Sequence, residues 1–197
     1  MDSRRKSVDQ AFKMFEVHGD SEYLGEAVSK TQHSLQCARL AEKERRKPEV
    51  VLGALFHDIG HLVGLDKGLD RMVTGGVDLG AKNHDTVGEE FLKNLGFPSP
   101  ITDFVKGHVQ AKRYLVAKNK EYYNSLSEAS KLTLLHQGGP MTEDEAQTFE
   151  KHPQFEDLVK MRTWDDLAKD PGCETEPMEK YQEMAYNYCT NYGSNFM

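Results

Sequence analysis

The chain is predicted to be all-α, a helical bundle with an internal dinuclear metal site, on three observations. Apolar residues recur at helical spacing through nearly every segment, and no period-two alternation stands out. One apolar run, Val51-Leu52-Gly53-Ala54-Leu55-Phe56, leads directly into His57-Asp58-Ile59-Gly60-His61. Further histidines and aspartates, His33, His84, His108 and Asp165, are spread over separate helical stretches. A buried imidazole beside a buried carboxylate is costly unless the two pair or hold a cation. A ligand set drawn from several helices can hold two.

The elements follow in order. Val8 to Phe15 has helical spacing, and Ser21 to Glu26 reads as a connector or helix start. His33 to Glu44 carries an apolar stripe of Leu35, Ala38, Leu40 and Ala41. Pro48 suits a first helical turn, and the helix it opens is apolar on most sides, as a central helix must be. From Gly60 to Asn83 the chain holds Gly64, Gly68, Gly75, Gly76 and Gly80, which predicts an irregular loop over the site. Helices resume at His84 to Leu95, ended by Gly96-Phe97-Pro98, and at Ile101 to Lys106, leading into Gly107-His108. Ser127 to His136 closes at Gly138-Gly139-Pro140. Thr142 with Glu145 reads as a capping box. Phe155 to Leu167 and Met178 to Tyr192 complete the chain, before a polar tail expected to fray. No internal repeat and no linker is visible. A single domain over 1–197 is expected, with a catalytic core of about 20–170 and a C-terminal helix and tail over 171–197.

A length of 197 residues suffices to bury a core around an internal site. The net charge of -7 provides no general basic face, so nucleic acid is not the expected partner. No apolar stretch could span a bilayer, so no membrane partner is expected either. Met1 to Lys6 is charged but is not followed by the apolar segment of a secretory signal. Cys37, Cys173 and Cys189 are odd in number, contain no CxxC pair and read as reduced thiols, which points to the cytoplasm. Cys37 lies on an apolar helical face and is read as a small core residue.

Neutral imidazole and carboxylate suit iron, manganese and zinc, and the lack of cysteine near the His-Asp pair argues against a structural zinc site. Asp58, flanked by His57, is the natural bridge between two cations. One histidine on an apolar face is usually a satisfied core residue. Several independent buried polar groups, each with its own partner, account less well for the whole set.

These residues resemble the HD-domain superfamily of metal-dependent phosphohydrolases. Within it the closer resemblance is to the mixed-valent diiron oxygenases that cleave organophosphonates. The resemblance runs from about Tyr23 to Asp165. It is carried by Tyr23-Leu24-Gly25-Glu26, His33-Ser34-Leu35-Gln36-Cys37-Ala38, Leu55 to His61, Gly107-His108 through Leu115, and Gln137-Gly138-Gly139-Pro140-Met141. It implies one iron held by His33, His57, Asp58 and Asp165. It implies a second held by His84 and His108, with Asp58 shared, the two ions forming a mixed-valent Fe(II)/Fe(III) pair. Asp166 is the neighbouring alternative to Asp165. The Arg162-x-x-Asp165 spacing matches that subgroup, which favours Asp165, and it places both side chains on one helical face, leaving Asp166 solvated.

A phosphonate dianion needs positive donors. His61, Lys112 and Arg162 are the candidates, and Lys112 shares a face with His108 if that segment is helical. Ser130 matches a hydroxyl donor of the family, whereas Gln137 reads equally as a turn residue. The resemblance implies that Tyr23 caps the oxygen-binding iron and leaves when substrate binds, and that Glu26 meets the cationic nitrogen. A phosphohydrolase has no evident need for that pair, which moves the reading from hydrolase to oxygenase. The implied reaction is O2-dependent C–P cleavage of (R)-1-hydroxy-2-(trimethylammonio)ethylphosphonate to glycine betaine and phosphate, after a separate hydroxylase has made the 1-hydroxy substrate. The stretch from Gly60 to Asn83 departs most from the aminoethyl-type enzymes of that subgroup, and by that resemblance favours the trimethylated compound over 2-amino-1-hydroxyethylphosphonate, which would give glycine. An HD-type phosphohydrolase and a non-catalytic metal-binding module are the competing readings. His18, His136 and His152 have no matching role.

Overall fold

The computed structural model describes residues 3–23 and 26–192. Among them are eleven helices and one two-stranded sheet, so the all-α expectation holds. Leu24 and Gly25, within the motif that begins at Tyr23, lie outside the described residues, as does the tail from Gly193.

Five helices build the frame: α1 (Ser3–His18), α2 (Lys30–Lys43), α3 (Pro48–Phe56), α4 (Ile59–Lys67) and α5 (His84–Asn94). The 20-residue α6 (Ser99–Lys118) crosses α3 and α5, and α10 (Phe155–Leu167) packs on α2 and α6. The short helices α7 (Lys120–Ser125), α8 (Glu128–His136) and α9 (Glu143–Phe149) lie between α6 and α10 in sequence, and α11 (Met178–Asn191) packs on α1 and α3. Every residue of α3 from Val50 to Phe56 is buried, as expected for a central helix. Phe12, Phe56 and Phe97 meet edge-on in that core, with ring centroids 5.3 and 5.5 Å from Phe56.

The helix starts follow local chemistry. Ser29 and Gln32 form a reciprocal capping box at α2, and Thr142 and Glu145 form the expected one at α9. Pro48 sits in the first turn of α3.

The stretch 60–83 departs from expectation. It is not an irregular loop: α4 continues to Lys67 and ends on Gly68 in the left-handed conformation (φ 61°). A hairpin follows, β1 (Arg71–Thr74) against β2 (Val77–Ala81), antiparallel, with Thr74 paired to Val77. Gly75 and Gly76, at φ 58° and 81°, supply the positive angles that a two-residue hairpin turn demands. The glycines that suggested irregularity are a turn signal between two short β-prone runs. The hairpin does lie beside the site, as described below.

Candidate metal centre

Six side chains from five segments meet inside the bundle. His33 comes from α2, His57 and Asp58 from the α3–α4 junction, His84 from the first position of α5, His108 from α6 and Asp165 from α10. All four imidazoles are at most 4% exposed. Gly60 lets α4 and α5 approach this closely, because a Cβ there would lie 1.8 Å from the carbonyl oxygen of His84.

The imidazole hydrogen bonds set the electrostatics. Nδ1 of His33 donates to the Ala168 carbonyl at 2.9 Å, and Nδ1 of His57 to the Ala54 carbonyl at 2.8 Å. A carbonyl only accepts, so each neutral ring keeps its lone pair on Nε2. Those two Nε2 atoms face each other at 3.2 Å. Nδ1 of His108 likewise donates to the Val105 carbonyl at 2.6 Å, and its Nε2 lies 3.0 Å from Nε2 of His84. Two opposed lone pairs repel unless a proton or a cation sits between them. Burial holds His33 down to about 4 and His84 well below the ordinary imidazole range, whereas at His57 the Asp58 carboxylate outweighs burial and raises it, so a proton is disfavoured on His33 and His84 and favoured on His57. The arrangement therefore fits cations.

Asp58 lies between the pairs. Its Oδ1 is 3.4 Å from Nε2 of both His84 and His108. Its Oδ2 is 3.3 Å from His57 and 4.0 Å from His33. Each carboxylate oxygen thus addresses one imidazole pair, the geometry a bridging ligand needs. Asp165 closes the first pair, with Oδ1 3.5 Å from His33 and Oδ2 3.8 Å from His57. Burial opposes ionisation of both carboxyls. His57 outweighs it at Asp58, and the Arg162 guanidinium outweighs it at Asp165, so both sit below the usual carboxylate range.

Tyr23 stacks on His33, centroids 3.7 Å apart, and its hydroxyl donates to Oδ1 of Asp165 at 3.4 Å. His61 is set differently from the other four. Its Nδ1 accepts from the Ala81 amide of β2 at 3.0 Å, which leaves the hydrogen on Nε2, 3.9 Å from Oδ1 of Asp58. That tautomer turns an N–H toward the site, and the ligand atoms of His61, Asp58 and His84 lie within 4.8 Å of one another. The hairpin holds it there: a Cβ at Gly80 would lie 2.5 Å from the His61 ring.

A small pocket of about 30 Å³ opens on this centre, lined by Tyr23, Asp58, His61, His84, His108 and Asp165 on one side and by Lys112, Ser130 and Arg162 on the other. Lys112 is 4% exposed and donates to Thr133 Oγ1 at 2.6 Å and to Gln137 Oε1 at 3.1 Å. Burial, aided by the nearby Arg162 charge, lowers its pKa to about 7. Arg162 donates to Tyr122 and Asp166 and pairs tightly with Asp165.

Glu26 does not line this pocket. Its carboxylate is paired with Lys169 at 3.1 Å. Asp166 is half-buried against Arg162 rather than fully solvated. His18, His136 and His152 bond to Asp66, Thr74 and the Gln154 amide, all outside the centre. Sequence reasoning missed Thr133 and Tyr122. Thr133 is three residues past Ser130 on the same helix, a usable phase signal, whereas nothing local marks Tyr122. Cys37 is a buried core residue, as expected, and, one turn after His33, it puts Sγ 3.7 Å from His33 Nε2.

The bundle and its histidine–aspartate clusters define a candidate metalloprotein of the HD type. The HD domain family matches residues 31–170, and the chain belongs to that family. It is 43% identical to the [1-hydroxy-2-(trimethylamino)ethyl]phosphonate dioxygenase (glycine-betaine-forming) of Leisingera caerulea, over 82% of this chain and 80% of that one. It is 36% identical to the hydroxymethylphosphonate dioxygenase of Gimesia maris, over 88% and 84%. It is 34% identical to an uncharacterized protein of Acanthamoeba polyphaga mimivirus, over 96% and 85%. The expected resemblance to phosphonate-cleaving oxygenases is borne out. No described helix is long and apolar enough to cross a membrane.

Proposed function

We propose that the protein is a diiron oxygenase that cleaves the C–P bond of (R)-1-hydroxy-2-(trimethylammonio)ethylphosphonate, releasing glycine betaine and phosphate. The observation that carries this reading is Asp58 set between two opposed imidazole pairs, beside Lys112 and Arg162. The named activity of the Leisingera relative supports the substrate. One iron would be held by His33, His57, Asp58 and Asp165, the other by Asp58, His84 and His108. Bound iron supplies the dioxygen activation and electron transfer that the protein's own side chains cannot.

The side chains do the rest. Two guanidinium hydrogens of Arg162 are left over after Tyr122, Asp165 and Asp166 are served, and with Lys112, Ser130 and the Nε2–H of His61 they would clamp the phosphonate oxygens. A space of about 30 Å³ holds only about one or two waters, so substrate must displace a wall. Tyr23, tied by one long hydrogen bond, is the wall that would yield. Glu26 would exchange Lys169 for the substrate cation. Overall one C–H and the C–P bond break, and O2 supplies the oxygens gained by the carboxylate and the phosphate. The substrate would come from a separate hydroxylase acting at C1.

A second reading has one observation in its favour. Glu26 is already paired with Lys169, which suits a substrate with no cation, such as the hydroxymethylphosphonate named for the Gimesia relative. Oxygen uptake and phosphate release with each compound test both readings. About two irons per chain and uptake only with a 1-hydroxyphosphonate are expected. Phosphate release without oxygen would make the protein a hydrolase, and a chain that takes up no metal would make it a binding module.

A further inference from the structure

We propose that Tyr122 is a positioning residue for phosphonate binding: its hydroxyl fixes the plane of the Arg162 guanidinium and so keeps two guanidinium hydrogens for the ligand. The inference rests on the role given above to Arg162 as a phosphonate clamp. Arg162 lines the pocket and Tyr122 does not, so Tyr122 acts through the arginine.

Three side chains share Arg162. Asp165 and Asp166 sit three and four residues on along α10, and both are carboxylates. Tyr122 comes from α7, and its hydroxyl oxygen accepts from Nε at 2.9 Å. That bond ties down the Nε–H edge, while Nη1 and Nη2 each give one hydrogen, to Asp165 and Asp166. One hydrogen on each Nη is left for a ligand. The hydrogen of Tyr122 itself goes to the Asp166 carboxylate, so phenol, guanidinium and carboxylate close a ring of hydrogen bonds. Without the hydroxyl, Nε–H can turn only to carboxylates of its own helix. The guanidinium is planar and rigid, so a turn at Nε carries the two remaining donors out of the pocket with it.

Packing separates the work of the ring from that of the hydroxyl. Tyr122 is half-buried, and the other residues of α7 are exposed. Its ring packs on Val116, Leu126 and Leu134, a small cluster apart from the main core. Oδ1 of Asn119 accepts from the Tyr122 amide at 3.1 Å and fixes the start of α7. A phenylalanine would fill the same space on the same backbone. Burial pushes the Tyr122 phenol up to about 12, so near neutral pH it both donates and accepts.

The test is Tyr122→Phe in the iron-loaded full chain. The probe is hydroxymethylphosphonate, the 1-hydroxyphosphonate portion common to the substrates weighed above. Its binding without oxygen, read by titration calorimetry, should weaken roughly tenfold. In turnover, KM for the phosphonate should rise by a similar factor with kcat within about twofold, the mark of lost binding that ground and transition states share. Melting temperature and iron content should stay near wild type. In Arg162→Lys, which has no Nε–H to hold, adding Tyr122→Phe should cost little more. Unchanged affinity and KM, the full loss again on top of Arg162→Lys, or a lower melting temperature as the sole change would leave Tyr122 an anchor of α7 and overturn the inference. Wild type that binds the phosphonate but consumes no oxygen would count against the oxygenase reading, and the binding arm would still decide the role of Tyr122.

Discussion

The hydroxyl of Tyr23 reaches Asp165 across 142 residues of sequence, at 3.4 Å, while its ring lies flat on His33. One side chain thus covers two residues of the same imidazole–carboxylate group without replacing either. Removing the hydroxyl deletes one long hydrogen bond and leaves the stack intact, so Tyr23→Phe should cost about 1 kcal/mol or less. Iron content should stay near wild type, with a changed resting electronic spectrum. His57→Ala removes one of the proposed iron ligands and should empty the position assigned to His33, His57, Asp58 and Asp165. Metal analysis of the two variants side by side checks this, and equal iron loss would deny Tyr23 the role of a displaceable cap.

Gly60→Ala tests whether the α4–α5 contact positions His84. A methyl group placed 1.8 Å from the His84 carbonyl oxygen cannot be absorbed by a rotamer change, since the clash is with backbone. The helices must part, at a cost of roughly 1–3 kcal/mol or more. His84 moves with α5. We expect a lower melting temperature and loss of the metal proposed at His84 and His108 before the one proposed at His33 and His57. A variant with wild-type stability and two metals would show that the approach is not needed.

Lys112 gives a pH signature. Its pKa of about 7 in the folded protein lies below the ordinary value of 10.5, so the unfolded chain binds more protons between those two values. The burial penalty is therefore complete below pH 7 and fades as pH rises toward 10.5. Its full size is on the order of 5 kcal/mol. Lys112→Met removes the penalty, so the metal-free variant should be more stable than wild type at pH 7, by a margin that shrinks toward pH 10. Urea midpoints across that range measure it. Phosphonate binding should run the other way: a dianion needs the charged ammonium, so wild-type affinity should fall as pH rises past 7.

These residues also show what the sequence could carry. The helical periodicity located most of the frame. The His57-Asp58 pair at the end of a helix apolar from Val50 to Phe56 marked the centre, because such a pair is buried at bearable cost only where it finds partners or a cation. Lys112 was reachable through its four-residue phase from His108, and α6 is indeed helical there. The hairpin was misread because glycine serves both irregular loops and tight turns. Gly75-Gly76 between Thr74 and Val77 distinguished the two, but only when read with the flanking β-prone residues. Tyr122 joins Arg162 from 40 residues away, through packing that no local pattern encodes. The partner of Glu26 was equally hidden: Lys169 is held near it because Gln36 and His33 bond the 168–170 backbone to α2.

That ion pair yields a test of substrate choice. If Glu26 trades Lys169 for the cation of the substrate, Glu26→Ala should raise KM for the trimethylammonio compound by roughly tenfold, about 1.4 kcal/mol. Iron content should not change, and hydroxymethylphosphonate should be affected little. Steady-state oxygen uptake with both compounds decides it, and equal effects on both would remove Glu26 from the nitrogen end of the pocket.

Arg162 carries the strongest expectation. It is 4% exposed, and its charge is what keeps Asp165 ionised despite burial. Arg162→Ala leaves that carboxylate without its guanidinium and Tyr122 without its donor, a loss of roughly 3–5 kcal/mol in the metal-free protein. Arg162→Lys retains the charge but cannot reach Tyr122, Asp165 and Asp166 together from one planar group. It should recover part of the stability and little of the phosphonate affinity. Bound metal would offset some of the Arg162→Ala loss, because a cation at His33 and His57 also compensates Asp165. The melting temperature of the alanine variant should therefore rise more on iron loading than that of wild type. Thermal melts with and without iron measure the difference, and an equal rise in both proteins would place Asp165 outside the metal's reach.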